Sequence, residues 1–162
     1  DPITAPVFKE ELGPDAESVA LAWRFPGLAS KDFEVLQVVS QVLYNGKAGL
    51  IDLDLNQQQK VLNSYGYPMG LADYSAFILG GLPKQGQMLE EVKDLLLNEI
   101  KKLRAGEFDE KMLQANINNF KLYELQSMES NEGRADIFVN SFINGTNWED
   151  EVTAIDRMAN LT

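Results

Sequence analysis

In residues 19–46 a strand pattern of apolar residues is followed by a helix pattern. Apolar residues recur at every second position from Val19 to Phe25, and this alternation predicts a strand with one apolar face. Pro26 and Gly27 are expected to end the strand, because proline lacks a backbone donor and glycine permits a turn. Ser30 has the residue type of a helix N-cap. The helix that follows is predicted to end at an Asn-Gly pair, and its apolar stripe consists of Phe33, Leu36, Val39, Val42 and Leu43.

Two further strands are predicted in the middle of the chain. Segments 61–67 and 74–80 are rich in aromatic and β-branched residues, and a Pro-Met-Gly turn is predicted between them at 68–70. The two segments are therefore expected to pair as an antiparallel hairpin. Segment 47–59 fits either a short strand or a helix, and its run of glutamines favours the helix.

The residue pattern in the second half of the chain predicts four helices. Apolar stripes at helical spacing indicate helices over 88–103, 109–129 and 132–143. Thr146 and Glu149 have the residue types and the spacing of a capping box, which predicts the start of the last helix. The inner face of that helix is expected to carry Val152, Ile155 and Met158. Because the strands gather in the first half and the helices in the second, the predicted fold class is α+β, with an antiparallel sheet covered on one face by helices.

The length and the distribution of proline bear on domain organisation. A chain of 162 residues is long enough for one domain with a substantial core. Residues 1–16 carry three of the six prolines and are expected to be an inter-domain connecting segment. Residues 17–162 are expected to form a single α+β domain. Because the sequence does not begin with methionine, we expect it to be a fragment of a larger, multi-repeat protein.

The composition excludes several classes of function. The net charge is −11, so a phosphate backbone would be repelled and nucleic acid binding is not expected. No apolar run approaches the roughly 20 residues of a membrane span, so the polypeptide is predicted to be soluble, with no membrane insertion. The chain has no cysteine and no histidine. This removes thiolate zinc sites, the commonest zinc ligand and the commonest general base at neutral pH.

One acidic segment resembles the start of a calcium loop. Asp52, Asp54 and Asn56 follow the D-x-D-x-N spacing of such loops. The loop also requires glycine at its sixth position and glutamate at its twelfth, where this chain has Gln57 and Asn63. A solvated acidic face is therefore the favoured interpretation.

The two tryptophans are the other candidates for a site. Trp23 and Trp148 could stack on a ligand, but their positions in a predicted strand and at a predicted helix start favour packing in the core. The residues alone thus give no recognisable catalytic constellation.

The order and spacing of six segments resemble a known family of peptidases. The segments are VALAWRFPG, DFEVLQVVSQVLYNG, GLIDLDLNQQQKVL, YSAFILGGLPKQGQ, LEEVKDLLLNEIKKLRAGEFDEKML and ESNEGRADIFVNSFINGTNWED. Together they span nearly all of residues 17–162. In this order they resemble the pitrilysin/insulinase zinc metallopeptidases of the inverzincin type, which include the mitochondrial processing peptidases. A bacterial parent protein in the cytoplasm or the periplasm is compatible with this resemblance.

The resemblance implies a repeat that lacks the zinc site. Members of the family consist of homologous α+β repeats, one of which carries an H-x-x-E-H zinc motif on a helix. Gln37, Ser40 and Gln41 occupy the tentative positions of that motif in the first helix here. Glutamine and serine are poor zinc ligands, and neither can act as the carboxylate base. The resemblance therefore implies that this fragment is not itself an enzyme and holds no cofactor. Zinc is expected in the catalytic repeat of the parent, a zinc metalloendopeptidase.

The resemblance also implies two partners, the catalytic repeat of the same chain and a peptide substrate. An inactive second repeat would form half of a peptide-binding chamber opposite the catalytic one. Asn56 and Ser64 lie near positions where some family members place an arginine and a tyrosine that reach the substrate, so direct help to the transition state is not expected here. Tyr65, Tyr67 and Tyr74 could line the chamber or pack within the hairpin.

Two other functions remain open. The chain could be a scaffold or assembly repeat of a family member that has no peptidase activity. An H-x-x-E-H motif within about one domain length upstream would favour the peptidase, and its absence would favour the scaffold. An unrelated α+β binding module is the third interpretation.

Overall fold

The computed structural model of the protein describes residues 5–11 and 13–160, which contain three strands and five α-helices. The strands are β1 (Val19–Pro26), β2 (Asn63–Gly70) and β3 (Tyr74–Leu82). The helices are α1 (Lys31–Leu43), α2 (Leu89–Ala105), α3 (Glu110–Met128), α4 (Asn131–Asn144) and α5 (Trp148–Ala159). The expected connecting segment and the expected domain each extend beyond the described residues, at 1–4 and 12 and at 161–162.

The three strands form one antiparallel sheet with β3 at its centre, in the order β1-β3-β2. Leu79 of β3 pairs with Leu21 on one side and with Gly66 on the other. The predicted hairpin is confirmed, but the predicted turn is wrong. β2 continues through Pro68 to Gly70, and the chain reverses at 71–73. Pro68 is tolerated because β2 is an edge strand in the described part of the chain, where a missing backbone donor need not cost a ladder hydrogen bond.

Helices cover one face of the sheet, which confirms the predicted α+β class. Phe77 and Leu79 point to this face and are buried, with α1 packed on β2 and α2 packed on β3. Gly81 allows α2 to approach closely, since a Cβ atom there would lie 2.5 Å from Cγ1 of Val92. The buried apolar cluster consists of Leu36, Leu43, Leu50, Ile51, Leu55, Val61, Phe77, Leu79, Val92 and Leu96.

The observed N-caps of three helices can be compared with the sequence predictions. Ser30 caps α1, and its hydroxyl accepts a hydrogen bond from the amide of Phe33. Asp109, the first residue of the helix predicted over 109–129, is the N-cap of α3. The capping box predicted from Thr146 is wrong. Asn147 is the N-cap of α5, and its side-chain oxygen accepts from the amide of Glu149.

The predicted helix within 47–59 is shorter than expected. Helical geometry begins at Leu50 and continues as a π-helical segment, Asp52–Asn56. None of the helices in the described part of the chain combines the length and the apolarity that crossing a bilayer requires.

Several apolar side chains are more exposed than the sequence predicts. Val152, expected on the inner face of α5, is 44% exposed, whereas Met158 is buried. The favoured core positions of the two tryptophans are also wrong, since Trp23 is 36% exposed and Trp148 is 41% exposed. These side chains lie at surfaces that the described residues leave partly uncovered.

Candidate functional site

The face of the sheet opposite the helices carries an apolar and aromatic surface. Side chains alternate between the two faces of a strand, so the residues that alternate with Phe77 and Leu79 point away from α1 and α2. We call this surface the outer sheet face. It consists of Ala20, Ala22, Arg24, Tyr65, Tyr67, Met69, Tyr74, Ala76 and Ile78.

Aromatic contacts order the side chains of the outer sheet face. The rings of Tyr65 and Tyr67 stack with their centroids 6.1 Å apart. The ring of Tyr65 lies across Gly80, where a Cβ atom would come within 2.1 Å of its Cζ. The guanidinium carbon of Arg24 lies 4.2 Å from the centroid of Tyr74, in the geometry of a cation–π pair. Rings held in this way lose little further side-chain entropy when a ligand packs against them.

Sequence reasoning singled out the three tyrosines of this surface but not Arg24 or Met69. Arg24 stands at an alternate position of the predicted first strand, whereas Met69 falls in the predicted turn at 68–70. Their place on one surface becomes apparent only when the strand pairing is known. Arg24 then lies across from Ala76, as does Met69 on the other side of β3.

Asn56 and Ser64, the two other residues expected near a substrate, are bound to each other. The side-chain amide of Asn56 donates to the carbonyl of Ser64, and its oxygen accepts from the backbone amide and the hydroxyl of Ser64, each at 2.8 Å. Ser64 is fully buried. The side chain of Asn56 thus bonds to the backbone of β2 at Ser64, as an adjacent strand would. Contact between this pair and a peptide stays a prediction.

The positions of α1 that match the zinc motif do not fit zinc. Ser40 is buried, and Gln37 and Gln41 are half-buried on the same side of the helix. Gln37 lines a cleft of about 630 Å³ whose wall includes the ion pair between Glu34 and Arg157. Two amides and one hydroxyl do not supply the nitrogen, sulfur or carboxylate donors that zinc requires. Among the described residues, no group of three or more acidic side chains is arranged to hold a metal ion.

The segment that resembles a calcium loop is held by hydrogen bonds within the protein. Asp52 is buried, and one of its carboxylate oxygens accepts from the backbone amides of Asn45 and Gly49 at 2.9 and 3.1 Å. The favoured interpretation of a solvated acidic face is therefore wrong for Asp52. Asp54 is bonded to Lys102, and the side chain of Asn56 is bonded to Ser64. All three side chains thus fix the segment between α1 and β2.

A buried carboxylate lies beside this segment. Glu99 of α2 is 2% exposed and accepts two hydrogen bonds from Nζ of Lys102, at 2.9 and 3.1 Å. Burial raises the pKa of Glu99, and the bond to Lys102 offsets this effect only in part. Burial by itself lowers the pKa of Lys102, but its hydrogen bonds to Asp54 and Glu99 outweigh that effect and raise it. Lys102 therefore links α2 to the π-helical segment as a charged group.

We expect the contribution of Glu99 to the free energy of unfolding to fall as pH rises. The folded state binds this proton more tightly than the unfolded chain, whose ordinary pKa is 4.5. The contribution of protonated Glu99 is therefore full below that pH and is lost as pH rises through the raised folded value. The side chain of Glu99→Gln cannot titrate. The free energy of unfolding of the wild type, measured in urea relative to this variant, should therefore fall as pH rises.

The control for this experiment is Glu91→Gln, which removes a carboxylate from an exposed position on the same helix. A stability difference between wild type and Glu99→Gln that rises with pH would contradict the direction assigned to the pKa of Glu99.

The described residues thus form an α+β domain in which Gln37, Ser40 and Gln41 of α1 do not provide ligands for zinc. A family model described as the Peptidase M16 inactive domain matches residues 1–120. The chain belongs to this family of inactive peptidase domains, which confirms the family that the sequence resembles. No match was found among curated proteins.

Solved bacterial structures have the same fold. A protease from Helicobacter pylori superposes with a TM-score of 0.80 at 20% identity, over 90% of this chain and 35% of that chain. The inactive peptidase domain of a candidate zinc protease from Bordetella parapertussis gives 0.76 at 17% identity, over 93% and 83%. A candidate zinc protease from Bordetella pertussis Tohama I gives 0.75 at 16% identity, with the same coverage. The chain thus spans about a third of the Helicobacter pylori protease.

Proposed function

We propose that this chain is the inactive second repeat of a zinc metallopeptidase and forms half of a peptide-binding chamber. The observation that carries the proposal is the outer sheet face, which presents ordered aromatic rings on the side of the sheet that α1 and α2 leave uncovered. Family membership supports an inactive peptidase domain. In this proposal, residues 17–162 are the repeat and residues 1–16 connect it to the rest of the parent.

The proposed role is to position a peptide rather than to transfer a proton. Tyr65 and Tyr67 would contact the peptide through their rings, beside the cationic group of Arg24. The catalytic repeat of the same parent would hold the zinc ion and its water, since Gln37 and Gln41 cannot. Holding an extended peptide in register lowers the entropic barrier to its cleavage.

The first part of the test concerns the chain by itself. The 162-residue chain should hold no stoichiometric zinc by elemental analysis at micromolar metal, and it should not cleave a fluorogenic peptide. One tightly bound zinc ion for each chain would overturn the proposal, because it would require a metal site that α1 does not provide.

The second part of the test measures how strongly the outer sheet face binds a peptide in the full-length parent. Tyr67→Ala should raise KM for a fluorogenic peptide about fivefold and leave kcat nearly unchanged, because it removes uniform binding by one aromatic side chain. Tyr123→Ala is the matched control, since Tyr123 is exposed on α3 and lies off the sheet. An unchanged KM in an active Tyr67→Ala parent would overturn the role of this face. A full-length parent that holds no zinc and cleaves nothing would instead favour the scaffold repeat.

A further inference from the structure

α4 presents its apolar stripe to solvent instead of to the fold. Phe138 and Phe142 form one row along the helix, Val139 and Ile143 form the next, and all four side chains are more than half exposed. The side of α4 that faces the protein carries the buried Ser141. An amphipathic helix normally buries a stripe of this width against a partner. The apolar stripe of α4 therefore faces solvent, whereas the stripe of an amphipathic helix usually faces the core.

Two residues of α5 extend this stripe into a continuous surface. Trp148 stacks on Phe138, with ring centroids 4.3 Å apart and an interplanar angle of 16°. Val152 lies one helical turn beyond Trp148 and is exposed. We call this surface the α4–α5 face, and it consists of Phe138, Val139, Phe142, Ile143, Trp148 and Val152. Contiguous exposed apolar surfaces of this kind mark interaction sites.

The charge around the α4–α5 face selects the kind of partner. Residues 131–160 contain six acidic and two basic side chains. Arg157 is paired with Glu34. All the acidic side chains of this segment except Glu151 are exposed, so the surface around the face is acidic. A second copy of the chain or an anionic bilayer would bring like charge against this rim. A partner with basic residues around an apolar centre would complement it.

We propose that the α4–α5 face docks an amphipathic helix of a partner polypeptide whose apolar stripe is flanked by lysine or arginine. Phe142 is the most exposed side chain of the face, at 88%, and provides the central anchor. The rows formed by Phe138 and Phe142 and by Val139 and Ile143 provide a groove for the ridge of an approaching helix. The inference uses neither the outer sheet face nor the zinc positions, so it stands or fails separately from the peptide chamber.

Trp148 lies within the face and reports its occupancy. In a Trp23→Phe background it is the sole tryptophan of the chain. A leucine-lysine amphipathic peptide of about 18 residues should shift its emission to the blue in a saturable titration, and a leucine-glutamate peptide of the same pattern should not. Raising NaCl from about 0.05 M to about 0.5 M should weaken the binding.

A matched pair of variants locates the binding. Phe142→Ser should raise the Kd of the leucine-lysine peptide about tenfold, because it removes the aromatic anchor. Phe8→Ser makes the same change at a residue that is 98% exposed outside the face, and it should leave the Kd unchanged. Both side chains are exposed, so both variants are expected to fold.

Four results would overturn the proposal. Equal binding of the two peptides would refute the charge argument, and binding unaffected by Phe142→Ser would place the peptide elsewhere. Sedimentation that shows a dimer abolished by Phe142→Ser would assign the face to a second copy. A shift of Trp148 emission on phosphatidylserine vesicles would assign it to a membrane.

Discussion

Replacing Leu96 with alanine should lower the free energy of unfolding by about 3 kcal/mol, within the range for large-to-small changes at fully buried sites. Leu96 is wholly buried on α2, and it packs where the helix crosses Gly81 of β3. β3 is paired with a strand on each side, which limits its movement into the vacated space. The substitution would therefore leave a cavity at the contact between α2 and the sheet, measurable as a lower midpoint in urea unfolding with an unchanged m-value.

Leu125→Ala is the matched control for this substitution. Leu125 is also helical, but it is 65% exposed on α3, so the same change should alter stability by no more than about 0.5 kcal/mol. A loss of equal size at both positions would mean that the packing of α2 on the sheet does not determine the effect, since alanine is itself the better helix former.

Replacing Asn56 with leucine should cost about 3 kcal/mol of stability, because it leaves several polar groups of Ser64 without partners. The backbone amide, the carbonyl and the hydroxyl of Ser64 all bond to the side chain of Asn56. Ser64 is fully buried, so water cannot replace these bonds unless the edge of β2 opens. Leucine has a similar volume, which limits any contribution from a cavity.

This substitution also separates two roles for Asn56. If Asn56 supports the fold, Asn56→Leu will shift the unfolding midpoint, while the same change at the exposed Asn119 will not. If Asn56 instead contacts a peptide, stability will be retained and KM in the full-length parent will rise. The second outcome would contradict the structural role assigned to the bonds with Ser64.

Local elements of this fold could be predicted because their determinants are close together in the sequence. Ser30 and Asp109 identify helix starts through bonds to amides two or three residues away. The β2–β3 hairpin was predictable from two aromatic segments around a turn. The turn itself was misplaced, because Pro68 ends a central strand but not an edge strand, and the edge position depends on the sheet order.

The features that were missed depend on tertiary contacts. The sequence separates Asn56 from Ser64 by eight positions, so nothing local indicates that one side chain satisfies both backbone groups of the other. The environment of Trp148 could not be predicted either, because an apolar residue at a helix start can lie in the core or on a docking surface. Its environment is decided by which face of α4 points outward. The outer sheet face was found only in part, through tyrosines whose residue type favours strands.

The sheet order has a consequence for how the protein folds. Closing the β2–β3 hairpin requires only residues 71–73 to bend, whereas pairing Pro26 with Tyr74 encloses the whole of 27–73. The entropy lost on closing the longer loop is greater, and contacts between distant residues slow folding. The hairpin should therefore form first and serve as the template onto which β1 is added. During synthesis, β1 is made before β3, so β1 stays without its neighbouring strand until β3 has also been made.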